Sequence, residues 1–363
     1  MSATHRAIVR SGASVAVESR PTVAPGPGEL SVAPVYAGLC GTDIQMLRGL
    51  RDDPAPVIGH EGVARVVAAG AGVPATFAPG RLVAVNPTHP TDPGFLLGHN
   101  VDGLLQERTL LPATAVAGGM VLPLPETTDV TLAPLLEPLA VVCYALGELA
   151  RFAPATLLVV GDGIVGHLAV RASRRLLGEH VRVALVHHTE PGRRFSEASP
   201  YPADLLLDGP AGVTFDEPTA ALLATPRDAT VAALESALGA GADVVDLVGG
   251  LPPGAATPLL PGVDLAAARA ANCGGLPDPA RITTAGRVRL FGHRGVANRH
   301  LLQAAAELDR DPGRYRDLIT HVTGLEGAAR VMRLLAGSRG RDVDGRRLIK
   351  LAIRISEEDR WRC

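Results

Sequence analysis

Lysine occurs once in this 363-residue chain, at Lys350, cysteine four times, and neither sign of charge is in surplus. Lys+Arg 35 against Asp+Glu 37 gives a formal net charge of -2, so no basic field exists to gather phosphate backbones or an anionic membrane surface. Nucleic acid and membrane are therefore not expected partners. The cysteines, Cys40, Cys143, Cys273 and Cys363, lack the close spacing of a disulfide framework, and the first residues are not followed by the apolar run of a signal peptide. A cytoplasmic protein with reduced thiols is expected. Long hydrophobic runs are also missing: the uncharged stretches Thr109 to Pro125 and Leu247 to Val263 are broken by Pro112, Gly118, Pro123, Pro252 and Pro258, so no membrane span is expected. Arginine replaces lysine almost throughout while Ala, Gly and Pro abound, a compositional bias that weakens any single arginine as a functional signal.

What is present is apolar and long enough for two domains, at 47% hydrophobic residues. The first part reads as short strands at Ala7 to Val9, Val15 to Val17, Leu30 to Val35, Val63 to Ala68 and Leu82 to Val85, separated by Gly and Pro, with few helices before Leu132. That texture predicts an irregular β-barrel. From Ala155 the pattern alternates: strand Thr156 to Val160, helix Val165 to Leu177, strand Val181 to Val186, strand Asp204 to Leu207, helix Ala229 to Leu238, strand Asp243 to Val248, helix Leu265 to Ala271 and strand Val288 to Phe291. Strand, helix, strand predicts a parallel sheet, so the fold class is α/β. A final helix, Leu325 to Leu335, and strand, Leu348 to Ile355, are expected to return to the first domain. The expected boundaries are 1–150, completed by about 300–363, and 151–299.

Gly161-Asp162-Gly163-Ile164-Val165-Gly166 is a G-x-G-x-x-G that follows a strand and opens a helix, the context in which glycines let a backbone approach a pyrophosphate at a helix N-terminus. Gly161, Gly163, Ile164, Val165 and Gly166 are the expected cofactor contacts. An NAD site of this kind carries Asp or Glu at the end of the second strand, but His187 follows Val186, with His188, Arg193 and Arg194 just beyond. Without the acid, and with guanidinium groups able to pair a 2′-phosphate, the pocket inclines toward NADP(H). The bland alternative is that the histidines end a strand and the arginines are solvated.

A second constellation lies upstream: Cys40-Gly41-Thr42-Asp43, Gly59-His60-Glu61-Gly62 and Glu137-Pro138. Thiolate, imidazole and carboxylate are the donors of a catalytic zinc with three protein ligands and one open position. Singly, each could be a buried small residue, a hydrogen-bonded turn histidine, or a helix N-terminal acid.

With these residues together, the chain resembles the zinc-dependent medium-chain dehydrogenase/reductase family of alcohol, sorbitol and threonine dehydrogenases. The resemblance also rests on Pro79-Gly80, Asp102-Gly103, Ala242-Asp243-Val244-Val245 and Gly286-Arg287-Val288. It implies a GroES-like β-barrel catalytic domain into which a Rossmann doubly wound domain is inserted, usually as a homo-oligomer, dimer or tetramer. By the resemblance Cys40 and His60 bind zinc, Glu61 is a ligand or exchangeable neighbour, and Glu137 takes the third-ligand position, a glutamate that looks like the polyol dehydrogenase branch. Two departures stand out. The stretch Asn86 to Asn100 lacks the four cysteines of a structural zinc lobe, so one catalytic zinc and no structural zinc is expected. Gln45 stands where many alcohol dehydrogenases have a proton-relaying histidine, so the proton would leave by water, by the cofactor ribose, or through a residue such as His99.

The implied activity is hydride transfer between a secondary alcohol or ketone and NAD(P), with Thr42 passing the proton of the alcohol beside Cys40, His60 and Glu61. Few aromatics, 3%, and Glu137 favour a polyol, cyclitol or sugar-like small molecule over an aromatic alcohol. Two other readings are a zinc-free quinone or enoyl reductase on the same fold and a catalytically silent nucleotide-binding protein.

Overall fold

The computed structural model describes residues 3–12, 14–209, 212–274, 276–338 and 340–356; Cys363 lies outside them. The chain divides into two compact units, one formed up to Glu137 and again from Leu301 onward, the other by Pro138–His300.

The first unit begins with the antiparallel hairpin Thr4–Ser11 and Ser14–Pro21. Its main sheet runs in the order Ile319–Thr323, Lys350–Arg354, Leu30–Gly38, Glu61–Ala69, Leu82–Val85, Val121–Pro123, with Thr109–Leu111 also paired to Leu30–Gly38. Leu30, Val32, Val66 and Leu111 pack in one core with Met332, Leu335 and Ile353 from the returning segment. Burial of these apolar side chains supplies the driving force that holds the distant segments together. Two registers matter for chemistry. Gly38 faces Glu61 across one antiparallel pair and Ala352 across another. Cys40, just past one strand end, His60, just before another, and Lys350 are therefore delivered to the same end of the sheet.

The second unit holds a seven-stranded sheet in the order Leu205–Leu207, Arg182–Val186, Thr156–Val160, Thr219–Leu223, Val244–Asp246, Val288–Phe291, Thr283–Ala285. The first six are parallel, and their spatial order is 3-2-1-4-5-6 in chain sequence, the doubly wound dinucleotide arrangement. Thr283–Ala285 closes one edge antiparallel. The helix Ile164–Leu177 carries Arg174 and Arg175 in its last turn, complementing the helix dipole, and stops at Gly178, whose φ of 111° a side chain would resist.

Two elements were not expected from the sequence. Val130–Ala150 forms a continuous helical stretch of 21 residues with mean hydropathy 1.7, long and apolar enough to cross a membrane, where none was expected; 78% of its apolar window is buried inside the protein. Glu137 and Glu148 interrupt the apolar run, so the segment does not read as an uncharged stretch. The central strand Thr219–Leu223 was not expected either: Thr-Ala-Ala-Leu-Leu is rich in helix formers, and full burial between two parallel neighbours overrides that propensity.

That override is measurable. Leu223 is completely buried in the second unit's core, so Leu223→Ala should cost about 2–5 kcal/mol in denaturant unfolding. Leu259→Ala, at a side chain 53% exposed, should change stability by no more than about 0.5 kcal/mol. A pH effect is also expected in this unit. Burial, reinforced by Arg299 and His293, lowers the His300 imidazole to about 4. Between about pH 4 and 6.5 the unfolded chain then binds the proton that the folded chain rejects, so stability falls as pH drops across that window. His300→Asn should flatten the slope by about one proton; an unchanged slope would remove His300 as its source.

Candidate active site

Cys40 caps the helix Gly41–Leu47. Its Sγ lies 3.2 Å from Thr42 Oγ1 and accepts from the Thr42 backbone N–H at 3.5 Å, while Asp43 Oδ2 accepts from the Cys40 N–H at 2.8 Å. This reciprocal capping fixes thiol and hydroxyl side by side. The donor atoms of Cys40, His60 and Glu61 all lie within 4.8 Å of one another, and among the described residues this is the group of three such donors that could hold a metal. His60 and Glu61 are buried, at 7% and 1% exposure.

The cluster has loose ends of the sort a cation would resolve. His60 Nδ1 and Asp43 Oδ1 are buried without a hydrogen-bond partner and stand 3.9 Å apart. Burial works against a charged His60, yet Cys40, then Asp43 and Glu137, outweigh it and push the imidazole up to about 10. Burial likewise holds the Asp43 carboxyl above its ordinary range, with His60 opposing. A soft thiolate, an imidazole and a carboxylate around one point fit zinc, and Asp43 lies on the side of His60 from which second-layer carboxylates orient a ligating ring. Glu137 acts on His60 through its charge and stands apart from the three clustered donors.

Lys350 is the residue that sequence inspection passed over. Its ammonium, 1% exposed, is ion-paired with Glu61 Oε2 and donates to the Leu39 carbonyl at 3.4 Å. The one signal available was its being the sole lysine, which reads as composition until the fold sets it beside Glu61. His99 Nδ1 donates to the Asp53 carboxylate at 3.2 Å, and its ring centroid lies 5.1 Å from that of His60. Burial and the charge of His60 lower His99 to about 4. Gln45 is half-buried on the same helix as Thr42.

In the second unit, Gly161 takes φ 122°, and a Cβ at Gly166 would collide with the Gly161 carbonyl, so the loop and helix close tightly only because both lack side chains. Gly163 caps the helix Ile164–Leu177 with no side-chain bond, and a Cβ there would meet open space. The first amides of that helix and the open space over Gly163 form a cradle of the kind that takes a pyrophosphate. Gly163, Ile164 and Val165 are half-buried at its lip.

The other expected cofactor residues are placed differently. His187 is 3% exposed, with Nε2 bonded to Ser196 Oγ at 2.7 Å and Nδ1 to the Leu207 carbonyl at 3.3 Å, and burial lowers its pKa. His188 is exposed. Arg193 pairs with Glu197 at 2.9 Å and Asp208 at 2.8 Å, and Arg194 with Glu190 at 3.0 Å. Both guanidinium groups form exposed pairs with carboxylates, two of which the helix Glu190–Glu197 sets one turn from them.

Known proteins share this architecture. Residues 26–125 match the alcohol dehydrogenase GroES-like domain family. Glucose 1-dehydrogenase of Thermoproteus tenax is 35% identical over 179 residues, covering 43% of this chain and 50% of that protein. The chain spans about half the length of the curated relatives it matches. A Sinorhizobium meliloti 1021 structure assigned to the zinc-binding dehydrogenases and bound to NADP is similar over 97% of this chain and 99% of its own, at TM-score 0.72 and 22% identity. Galactitol-1-phosphate dehydrogenase of Escherichia coli is similar over 97% and 100%, at TM-score 0.70 and 18% identity. The fold is accordingly a GroES-like unit together with a Rossmann unit.

The buried pair offers a direct test. Lys350→Met leaves Glu61 as an unpaired buried carboxylate and should cost about 3–5 kcal/mol of stability in chelator-treated protein. The double variant Glu61→Gln, Lys350→Met should recover most of that. A single variant within about 0.5 kcal/mol of the parent would show the contact to be energetically idle.

Proposed function

We propose that the chain is a zinc-dependent oxidoreductase that moves hydride between NAD(P) and a secondary alcohol or ketone of polyol, cyclitol or sugar-like type. The observation that carries this reading is the convergence of Cys40, His60 and Glu61 donor atoms within 4.8 Å, with the Thr42 hydroxyl 3.2 Å from the thiol. A sugar substrate class is supported by the likeness to glucose 1-dehydrogenase and galactitol-1-phosphate dehydrogenase.

Cys40 and His60, with Glu61 or Glu137 as the carboxylate, would hold the zinc. When bound there, zinc supplies Lewis acidity toward a substrate oxygen and lowers the pKa of a hydroxyl. Thr42 Oγ1 both donates and accepts, so it can take the proton of a substrate hydroxyl in oxidation and return it in reduction. Asp43 faces the His60 ring from 3.9 Å and acts on it through its charge, and Lys350 would compete with a metal for Glu61 and offset its negative charge. His99, kept neutral by its surroundings, and Asp53 form a polar pair next to His60 through which a proton can leave, standing in for the relay that Gln45 cannot provide. The Rossmann unit would bind the dinucleotide pyrophosphate over Gly163. The inclination toward NADP(H) rested on the missing acid at His187 and on Arg193 and Arg194; with both arginines paired with carboxylates, the reading here is for the nicotinamide dinucleotide class.

Metal analysis and a substrate panel test it together. One zinc per chain and NAD(P)-linked oxidation of polyols or sugars are expected, with Cys40→Ser losing both metal and turnover. Thr42→Val should keep zinc and dinucleotide yet slow turnover by about 10²-fold or more. Full activity after chelation would select a zinc-free reductase, and absence of any dinucleotide-linked activity with intact binding a silent nucleotide-binding protein.

A further inference from the structure

The strand Arg182–Val186 ends without the carboxylate that would accept ribose hydroxyls, and His187, closed off by Ser196 and Leu207, cannot substitute for it. A carboxylate nevertheless reaches this strand end from another direction. Asp162, the second residue of the glycine loop, is 7% exposed. A Cβ at Gly192, in the first turn of the helix Glu190–Glu197, would fall on Asp162 Oδ2, so the carboxylate lies against that backbone. Asp162 also acts on His187 through its charge. Loop acid, strand end and helix start thus converge on one place, and Asp162 is the chain neighbour of Gly163, over which space is open.

We propose that Asp162 is the specificity-determining acceptor for the adenosine ribose 2′-hydroxyl, supplied from within the glycine loop instead of from the strand end, so that the chain selects NAD(H) over NADP(H). The proposal rests on the dinucleotide reading above. Its physical basis is charge and bonding together. A carboxylate accepts a hydroxyl proton and repels a phosphate dianion at the same position. The surroundings add to the repulsion: around this strand end Asp162, Glu190, Glu197 and Asp208 are carboxylates, whereas Arg193 and Arg194 are the guanidiniums and each is engaged by one or two of those acids. His187, lowered by burial, brings no compensating charge. Gly192 belongs to the same device, because any larger residue there would take the space of the carboxylate.

Calorimetric titration of NADH and of NADPH into the purified, metal-loaded protein tests this by binding alone, without turnover. The parent protein should bind NADH at least about tenfold more tightly than NADPH, the scale of one hydrogen bond to a charged group. Asp162→Asn should weaken NADH about tenfold while leaving NADPH unchanged or tighter, bringing the two within about threefold. Gly192→Ala, which keeps the acid but takes its place, should narrow the ratio in the same direction, and the melting temperature of each variant shows whether it is folded. A parent that binds NADPH as tightly as NADH, or a folded Asp162→Asn whose affinity ratio matches the parent's, overturns the role of Asp162 while leaving the dehydrogenase reading intact. If neither dinucleotide binds, the dinucleotide reading fails and Asp162 falls with it.

Discussion

The contact between Lys350 and Glu61 is the constraint around which the first unit is organised. It joins a strand that begins the sheet's second pairing to one that arrives nearly three hundred residues later, and both partners are buried. An ion pair so far from water survives only with close geometry and further bonds, here the Leu39 carbonyl. Its presence makes the neighbouring chemistry tolerable: Cys40, Asp43, Glu61 and Glu137 concentrate negative charge around His60, and Lys350 is the buried cation set among them. The same residue would limit how freely Glu61 could serve as a metal donor, so the buried pair and the proposed metal would compete for one carboxylate.

In the second unit the corresponding constraint is steric. The Gly161 carbonyl and the backbone at Gly166 approach so closely that no side chain fits between them, and this approach sets the start of the helix against the strand Thr156–Val160. A helix begun in that way presents unsatisfied amides toward the open space at Gly163. The acid proposed to complete the site lies inside the loop, and the helix that approaches it carries a glycine at the contact point. Cofactor choice in this reading depends on residues thirty apart in sequence, Asp162 and Gly192, neither of which carries the signal alone.

Much of this is legible in the sequence. The strand Thr156–Val160 and the helix after it show an unbroken apolar run, then glycines, then helical periodicity, and the structure follows them closely. The motif Cys40-Gly41-Thr42-Asp43 offered its chemistry but not its helix; the cap by which Cys40 starts Gly41–Leu47 and sets thiol beside hydroxyl comes from the structure. Thr219–Leu223 was hidden because its alanines and leucines carry no strand preference of their own. The helical stretch Val130–Ala150 was hidden because two glutamates interrupt its apolar composition without interrupting its helix.

The sequence by itself determined the residue types of the candidate centre, the glycine loop and the α/β alternation, all of which depend on neighbours within a few positions. Tertiary structure decided which charges meet. Whether Arg193 and Arg194 are available to a phosphate depended on Glu190, Glu197 and Asp208, and whether Lys350 is a surface lysine or a buried counter-ion depended on the register that sets Ala352 opposite Gly38. The physical reason is range: capping, glycine turns and hydrophobic periodicity act along the chain and are written in local order, whereas burial and pairing of charge act through space and exist only once distant strands are in register.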